Sequence, residues 1–227
     1  MYTWGRVGEH NIVIASLPTW FYGTTEAATT ASNLLSSLPG IRIGLLVGIG
    51  AGIARPEEGY DVRLGDVVVS KPNKTTGGVY QYDLLKAKLG GERELMSFLG
   101  RPPTVLLKAL ACIQADHEQR DSRVPQLLQE MLEKNPKMGK QSKRSPGYVY
   151  QEGTSDRLFK ASYEHVSGPD CSGCDEAGEV QRDPRETTDP EIHYGLIASG
   201  NTRTSKPSFL PPSSSQMCSK SATDIAG

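Results

Sequence analysis

A glycine-rich segment, Gly48-Ile49-Gly50-Ala51-Gly52, is the first feature of the sequence whose residue types and spacing could do chemistry. Glycine lets backbone N–H groups approach a ligand without interference from a Cβ atom. The spacing G-x-G-x-G differs from the G-x-G-x-x-G of dinucleotide-binding folds, and Asp66 begins the next strand, whereas a ribose-binding acid ends it. No Gly-Lys-Ser/Thr follows, which excludes a P-loop. The segment is predicted either to approach a ligand or to be a tight packing turn after a strand.

Cysteine and histidine are the other residue types that could form a site. Cys171 and Cys174 have the spacing of half a zinc site, but the flanking sequence is loop-like, whereas a thioredoxin-like motif needs a strand before it and a helix after it. The remaining candidates are isolated or lack ligand spacing: Cys112, Cys218, His165 and His193. No histidine lies in a nucleophile pattern, so no hydrolytic triad is predicted. We expect no metal and no cofactor.

The elements that would position these residues alternate between strands and helices. Four apolar runs of strand length are predicted to form one sheet, with residues 48–52 at its carboxyl edge: residues 11–17, 43–48, 66–70 and 192–198. Helices are predicted from apolar spacing and from proline or glycine stop signals: residues 24–37, 104–116 and about 125–134. This order is typical of an α/β fold with a mixed or parallel sheet.

Composition and charge narrow the class of protein. The 25 Lys and Arg residues against 26 Asp and Glu residues leave a net charge of -1, which argues against a nucleic-acid binder. No apolar run is long enough for a membrane helix, and the first residues contain no signal peptide, so we expect a cytoplasmic protein without a membrane partner. The prediction is one domain over residues 1–201 with a surface insertion at about 134–190, followed by a disordered Ser/Thr/Pro-rich tail at 202–227.

Five segments, in one order along the chain, resemble the nucleoside phosphorylase-like domain of fungal proteins: residues 2–15, 46–52, 63–72, 77–83 and 192–201. More distantly, they are similar to purine nucleoside phosphorylases and to methylthioadenosine/S-adenosylhomocysteine nucleosidases. The resemblance covers residues 2–201. In that family, the domain often stands N-terminal to an NTPase module with ankyrin or tetratricopeptide repeats.

The resemblance implies a three-layer α/β sandwich with a mixed central sheet, and cleavage of the N-glycosidic bond of a purine nucleoside by phosphate or water. Residues 48–52 match the family's loop at the sugar and nucleophile, and Ser199-Gly200-Asn201 matches the turn that leads into the base pocket. The implied partners are a purine nucleoside, a second copy of the chain, and fused NTPase, ankyrin or tetratricopeptide modules.

The sequence also departs from the family. Leu46 and Ile49 occupy positions where phosphorolytic relatives use Arg and Ser, and Arg203 stands near an expected apolar base contact. The family's first strand, its ribose-binding Met-Glu motif and its Ser-Asp pair are not found, so the chain is expected to be incomplete at both ends. Two hypotheses follow: a nucleosidase or phosphorylase with impaired activity, or a non-catalytic module, either nucleoside-sensing or interacting, within a longer protein. A fragment of a longer gene is a further alternative.

Overall fold

The computed structural model describes residues 2–17, 20, 23–74, 76–81, 85–87, 93–95, 100–142, 147–150, 156–160, 162–163, 166, 171, 173–200 and 215–217. The chain divides into two compact units. The first comprises Met1–Gly50 and Ser221–Gly227, and the second comprises Ala51–Lys220.

The first unit contains an antiparallel hairpin and one helix. Strands β1 (Tyr2–Val7) and β2 (His10–Ala15) pair from Tyr2↔Ala15 to Val7↔His10, which leaves a two-residue turn at Gly8 and Glu9. Gly8 has a φ of 56°, as two-residue hairpin turns require. Helix α1 (Thr24–Ser37) confirms the helix predicted there. The strand predicted at 11–17 is confirmed as far as Ala15, whereas β1 was not anticipated, because its polar residues interrupt any apolar run.

The strand predicted at 43–48 is not formed. Residues 41–50 have no regular secondary structure, and Leu46 is 98% exposed and Val47 89% exposed. The prediction was based on apolar composition alone, but a strand also needs a neighbour to accept and donate its backbone hydrogen bonds. Among the described residues of the first unit, β1 and β2 pair only with each other.

The second unit is mixed α/β. Its strands and helices, in chain order, are β3 (Val67–Ser70), β4 (Val79–Gln81), β5 (Leu85–Ala87), β6 (Arg93–Leu95), α2 (Thr104–His117), α3 (Val124–Lys134), β7 (Leu158–Lys160), β8 (Ile192–Gly195), β9 (Ile197–Ser199) and β10 (Ser215–Met217). The helices predicted at 104–116 and 125–134 are confirmed, and α3 begins with proline in its first turn, where no backbone N–H is needed. No helix in the described part of the chain has the length and apolarity to cross a bilayer.

Two parallel strand pairs organise this unit. Strand β3 pairs with β8, with Val67 opposite Ile192, and β4 pairs with β9, with Val79 opposite Ile197. The strand predicted at 66–70 is confirmed, but the one predicted at 192–198 is divided into two strands that have different partners. In the described part of the chain the strands form two-stranded sheets, and the four predicted segments are not joined in one sheet there.

Proline explains why the chain changes partners between β8 and β9. Strand β3 ends at Ser70, and Lys71 N–H still bonds to the Gly195 carbonyl at 2.8 Å. Pro72 has no N–H with which to extend the ladder. Strand β4 then becomes the neighbour, with Ile197 N–H donating to the Gly78 carbonyl at 3.0 Å.

Three of the four buried hydrophobic residues in the described part of the chain, Leu158, Phe159 and Cys174, lie in the segment predicted as a surface insertion, and the fourth is Ala54. Leu158 is 0% exposed and Phe159 is 5% exposed, and Val180 N–H donates to the Leu158 carbonyl. The segment 134–190 therefore contributes core as well as surface. Strand β10, in the tail predicted to be disordered, pairs antiparallel with β7. The other tail residues lie outside the described residues.

Candidate functional site

The predicted glycine segment lies in irregular, mostly exposed backbone. Residues 48–50 end the first unit, whereas Ala51 and Gly52 begin the second. A Cβ atom added at Gly48 or Gly50 would meet nothing within 4 Å, and neither residue has a positive φ. Backbone geometry and internal packing therefore do not explain why these two positions are glycine.

The second predicted segment lies at the end of a parallel strand pair. Ser199 is the last residue of β9, opposite Gln81 at the end of β4, and its side chain is exposed. Gly200 follows and is half-buried, and Asn201 lies outside the described residues. In open parallel sheets, ligands bind beyond the carboxyl ends of the strands. Ser199 and Gly200 therefore lie at an edge of the kind where ligands bind in α/β folds.

The two parallel pairs come close to each other where β3 ends and β4 begins. Gly78, which precedes β4, has a φ of 101°, and a Cβ atom there would lie 2.5 Å from the Ser70 Oγ. Only glycine fits this conformation and this close approach. Three of the segments that carry the resemblance therefore lie partly together, because of the parallel pairings and the close contact between Gly78 and Ser70: 63–72, 77–83 and 192–201.

A charged cluster that the sequence analysis missed lies at the opposite, amino end of the β3–β8 pair. Its centre is the Asp66 carboxylate, of which 1% is exposed. Arg185 donates to Asp66 Oδ1 from Nη1 at 2.8 Å and to Oδ2 from Nη2 at 2.7 Å, and His193 Nε2 donates to Oδ2 at 2.8 Å. Backbone N–H groups of Arg63 (2.8 Å) and Glu191 (3.0 Å) complete the set.

This set of donors fixes the charge state of Asp66. Burial alone would raise the pKa of the carboxyl, but the hydrogen bonds from Arg185, His193 and the two backbone N–H groups outweigh it and hold the pKa well below its usual range. A carboxylate that is ionised and fully engaged is a poor general acid at neutral pH. The Asp66 cluster therefore holds β3 and β8 in register and is unsuited to proton transfer.

A second group of ion pairs continues from the first. Arg182, with 8% of its side chain exposed, bridges Asp61 at 3.2 Å and Asp156 at 3.1 Å, and Arg63 also pairs with Asp61. Asp156 accepts from the Leu64 backbone N–H at 3.3 Å. A cleft of about 230 Å³ lies against this group, with Tyr150 and Glu179 also in its lining. Of the charged side chains in its lining, Arg182 pairs with Asp156, Arg63 pairs with Asp61, and Glu179 pairs with Arg157.

The two cysteines that are spaced as half a zinc site differ in their bonding. Cys171 is disulfide-bonded, whereas Cys174 is a buried free thiol. Among the described residues, no group of three or more His, Cys, Asp and Glu side chains is arranged to hold a metal ion. Of the histidines considered as ligands, His193 belongs to the Asp66 cluster and His165 lies outside the described residues.

A signal for the charged cluster is present in the sequence. Six of the ten residues 182–191 are Arg, Asp or Glu, and they directly precede an apolar strand, which is an unusual density of charge for an exposed loop. From sequence alone, the only role considered for Asp66 is that of a ribose-binding acid, and its place at the start of a strand argues against that role. The partners of Asp66 are 119 and 127 positions away, so only the fold identifies them.

Comparison with known proteins relates the chain to part of a much longer fungal protein. It is 35% identical over 201 residues to a "Nucleotide-binding leucine-rich repeat (NLR)-like protein" of Hyaloscypha variabilis. The aligned region is 88% of this chain and 18% of that protein, so the chain spans less than a fifth of the relative's length. No family model matches the chain. No solved structure matches it.

Proposed function

We propose that this chain is a purine-nucleoside-recognition module of an NLR-like protein and that it works by binding rather than by catalysis. The observation that carries the proposal is the pair of parallel ladders, β3–β8 and β4–β9, which joins three of the segments that resemble nucleoside phosphorylase-like domains. Similarity to a stretch within a long NLR-like protein supports a modular role. The proposal includes the family's three-layer sandwich.

The proposed ligand contacts are the residues carried over from the family. At the end of β9, the exposed Ser199 hydroxyl and the Gly200 backbone would take part in hydrogen bonds to the nucleoside. In the glycine segment, no contact within the chain requires glycine at Gly48 or Gly50, because a Cβ atom there would meet nothing within 4 Å. Glycine at these positions would instead allow a ligand to come close to the backbone. Asn201 is included from the resemblance alone.

The charges of the second unit favour recognition over cleavage. Cleavage of a glycosidic bond needs a group that gives up a proton near neutral pH. Asp66 is held ionised, and Asp156 and Glu179 in the cleft lining are each paired with arginine, as is Asp61 beside the cleft. If the module does cleave nucleosides, we propose hydrolysis, because Leu46 and Ile49 replace the residues with which phosphorolytic relatives bind phosphate.

The test is calorimetric titration of the full chain with adenosine, guanosine and uridine. We expect saturable binding of a purine nucleoside and weaker or no binding of uridine. Gly50→Val should weaken purine binding at least about tenfold, equal to about 1.4 kcal/mol. The matched control is Gly44→Val, because a Cβ at Gly44 also meets nothing within 4 Å but lies outside the glycine segment.

Two binding results would contradict nucleoside recognition by this chain. One is the absence of saturable purine binding at about 1 mM nucleoside, a concentration that detects interactions as weak as about -4 kcal/mol. The other is equal weakening by Gly44→Val and Gly50→Val, which would show that the glycine segment has no special role. Release of adenine by the full chain in a parallel assay would show that the chain cleaves the nucleoside and does not only bind it.

A further inference from the structure

Helix α2 has apolar residues on two sides, and one of those sides faces the rest of the second unit. The residues of this inner side, Leu106, Leu107 and Leu110, are half-buried. At the end of the same helix, a hydrogen bond of 2.8 Å joins His117 Nδ1 and the Tyr194 hydroxyl on β8. Helix α2 is therefore held to the unit by its inner side, and its opposite side faces outward.

The outward side of α2 is an exposed apolar stripe. Val105 is 59% exposed and Ile113 is 50% exposed, and Ala109 and Cys112 between them are also exposed. These four residues form the α2 stripe, because they recur at positions i, i+4, i+7 and i+8, which share one face of a helix. A helix that is apolar all round is normally buried, and exposed apolar residues that lie together mark sites of interaction. The α2 stripe therefore has the character of a surface that another molecule covers.

Two charged residues beside the α2 stripe are placed symmetrically about Cys112. Lys108 lies four positions before Cys112 and Asp116 lies four positions after it, and both are exposed. Four residues span about 6 Å along a helix. If two α2 helices pack antiparallel with Cys112 next to the two-fold axis, Lys108 of each copy lies at the level of the partner's Asp116. A symmetric pair of helices thus makes the same opposite-charge contact twice.

We propose that the α2 stripe is a self-association surface, at which two copies of this chain pack their α2 helices antiparallel about a two-fold axis at Cys112. The apolar residues form the centre of the contact and the two pairs of Lys108 and Asp116 form its rim, which is the usual arrangement of a protein interface. The charges favour a second copy because they are complementary to themselves. They also favour the antiparallel arrangement, since parallel helices would place lysine opposite lysine.

The contact is small, and the charge it uses is available. Helix α2 has 14 residues and is about 21 Å long, so a pair of such helices is at the low end of interface size, where association is transient. We therefore expect a reversible dimer with a dissociation constant above about 1 µM. Within the chain, Asp116 pairs with Arg120 at 3.5 Å, but the side chains are 52% and 74% exposed, and an exposed pair of this kind is weak.

The experiment is sedimentation equilibrium of the full chain under reductant, from about 1 to 500 µM, a range that covers weak association. We expect a monomer–dimer equilibrium. Lys108→Glu and Asp116→Lys should each raise the dissociation constant at least about tenfold, because each replaces an attraction with a like-charge contact. The double variant exchanges the two charges and should return the dissociation constant to within about threefold of the wild-type value. The matched control is Lys134→Glu, at a lysine on α3 that is 74% exposed, and it should leave the equilibrium unchanged.

A second measurement tests the position of the two-fold axis. Disulfides span Cα separations of about 4.4–6.8 Å, so two Cys112 thiols beside the axis can be joined by an added oxidant. Oxidation with copper phenanthroline should give a covalent dimer on non-reducing gels, and Cys112→Ser should abolish it, although the other cysteines remain.

Three results would overturn the proposal. One is a wild-type chain that stays monomeric over the whole concentration range, which would leave the α2 stripe to a different partner. Another is a double variant that associates as weakly as the single variants, because Lys108 and Asp116 then do not face each other. The third is a covalent dimer that forms equally in Cys112→Ser, because Cys112 then does not lie at the axis.

Discussion

Asp66 and Arg185 face each other through two parallel hydrogen bonds of 2.8 and 2.7 Å, although they are 119 positions apart in the sequence. The carboxylate is 1% exposed and the guanidinium side chain 15% exposed. A bidentate pair of this kind is geometrically specific, because the planar guanidinium must match both carboxylate oxygens. It fixes the loop before β8 against the start of β3.

Replacing Asp66 with Asn should destabilise the chain strongly. Asn keeps the shape but removes the charge, which leaves Arg185 buried without its carboxylate partner. Breaking a buried pair in this way costs about 3–5 kcal/mol. The measurement is urea denaturation followed by far-UV circular dichroism, because helices α2 and α3 of this unit contribute to that signal, whereas both tryptophans, Trp4 and Trp20, belong to the first unit.

The control for that variant is Glu9→Gln. Glu9 pairs with Arg6 at 2.9 Å, but its side chain is 92% exposed, and exposed pairs are worth about 0–1 kcal/mol. If Asp66→Asn and Glu9→Gln lower the unfolding free energy by similar amounts, burial does not distinguish the two ion pairs.

Stability should depend on acid pH through Asp66. Since its folded pKa is held below the ordinary value, its stabilising effect is complete above the unfolded pKa of about 3.9 and is lost as the pH falls toward the folded value. The maximal slope from one such group is about 1.4 kcal/mol per pH unit. The difference in unfolding free energy between wild type and Asp66→Asn should be constant from about pH 7 to 5 and shrink below about pH 4. A difference that stays constant to about pH 2 would contradict the assignment.

Arg157→Lys should lower the unfolding free energy by about 1–3 kcal/mol, although the substitution conserves the charge. Arg157 donates to Glu179 from Nε and to the Cys171 carbonyl from Nη1, and its guanidinium lies 4.9 Å from the centre of the Phe159 ring. A lysine cannot reproduce this planar fork, and hydrogen bonds to charged groups contribute about 1.5–3 kcal/mol. Arg120→Lys is the control, because Arg120 is 74% exposed and pairs with Asp116 at 3.5 Å. Equal stability of wild type and Arg157→Lys would show that its three contacts are weak.

Leu46→Ala and Leu158→Ala test whether the burial seen in the structure or the buried strand predicted at 43–48 is correct. Leu158 is 0% exposed, so its truncation should cost about 2–5 kcal/mol. Leu46 is 98% exposed, and its truncation should change the unfolding free energy by less than about 0.5 kcal/mol. Circular dichroism follows the first variant and tryptophan fluorescence the second. A large loss for Leu46→Ala would restore the buried strand predicted at 43–48.

Local signals in the sequence predicted the helices well. Helix α1 and the helices α2 and α3 begin and end within a residue or so of the predicted bounds, because apolar spacing and the residues that stop a helix are both local. The strand at 67–70 was predictable for the same reason, since a β-branched run lies between Gly65 and Pro72.

Pairing and charge could not be predicted in the same way. The composition of residues 43–48 indicates a buried strand, but composition does not specify a hydrogen-bonding neighbour. The change of partner at Leu196 depends on Pro72, more than 100 positions earlier in the chain. The Asp66 cluster likewise depends on side chains that only the fold brings together. The segments of the predicted nucleoside site came from the resemblance, and Ser199 was identified without knowledge of the pairing between β9 and β4.

The parallel pairing of β3 with β8 also determines when this unit can fold. Asp66 and His193 are 127 positions apart, so the start of β3 leaves the ribosome long before its partner exists. At about 5–20 residues per second, the delay is about 6–25 s. During this interval Val67, Val68 and Val69 form an unpaired β-branched run that is open to association with other nascent chains. Synthesis rate and chaperone access are therefore expected to affect the yield of folded protein more than the stability of the finished unit does.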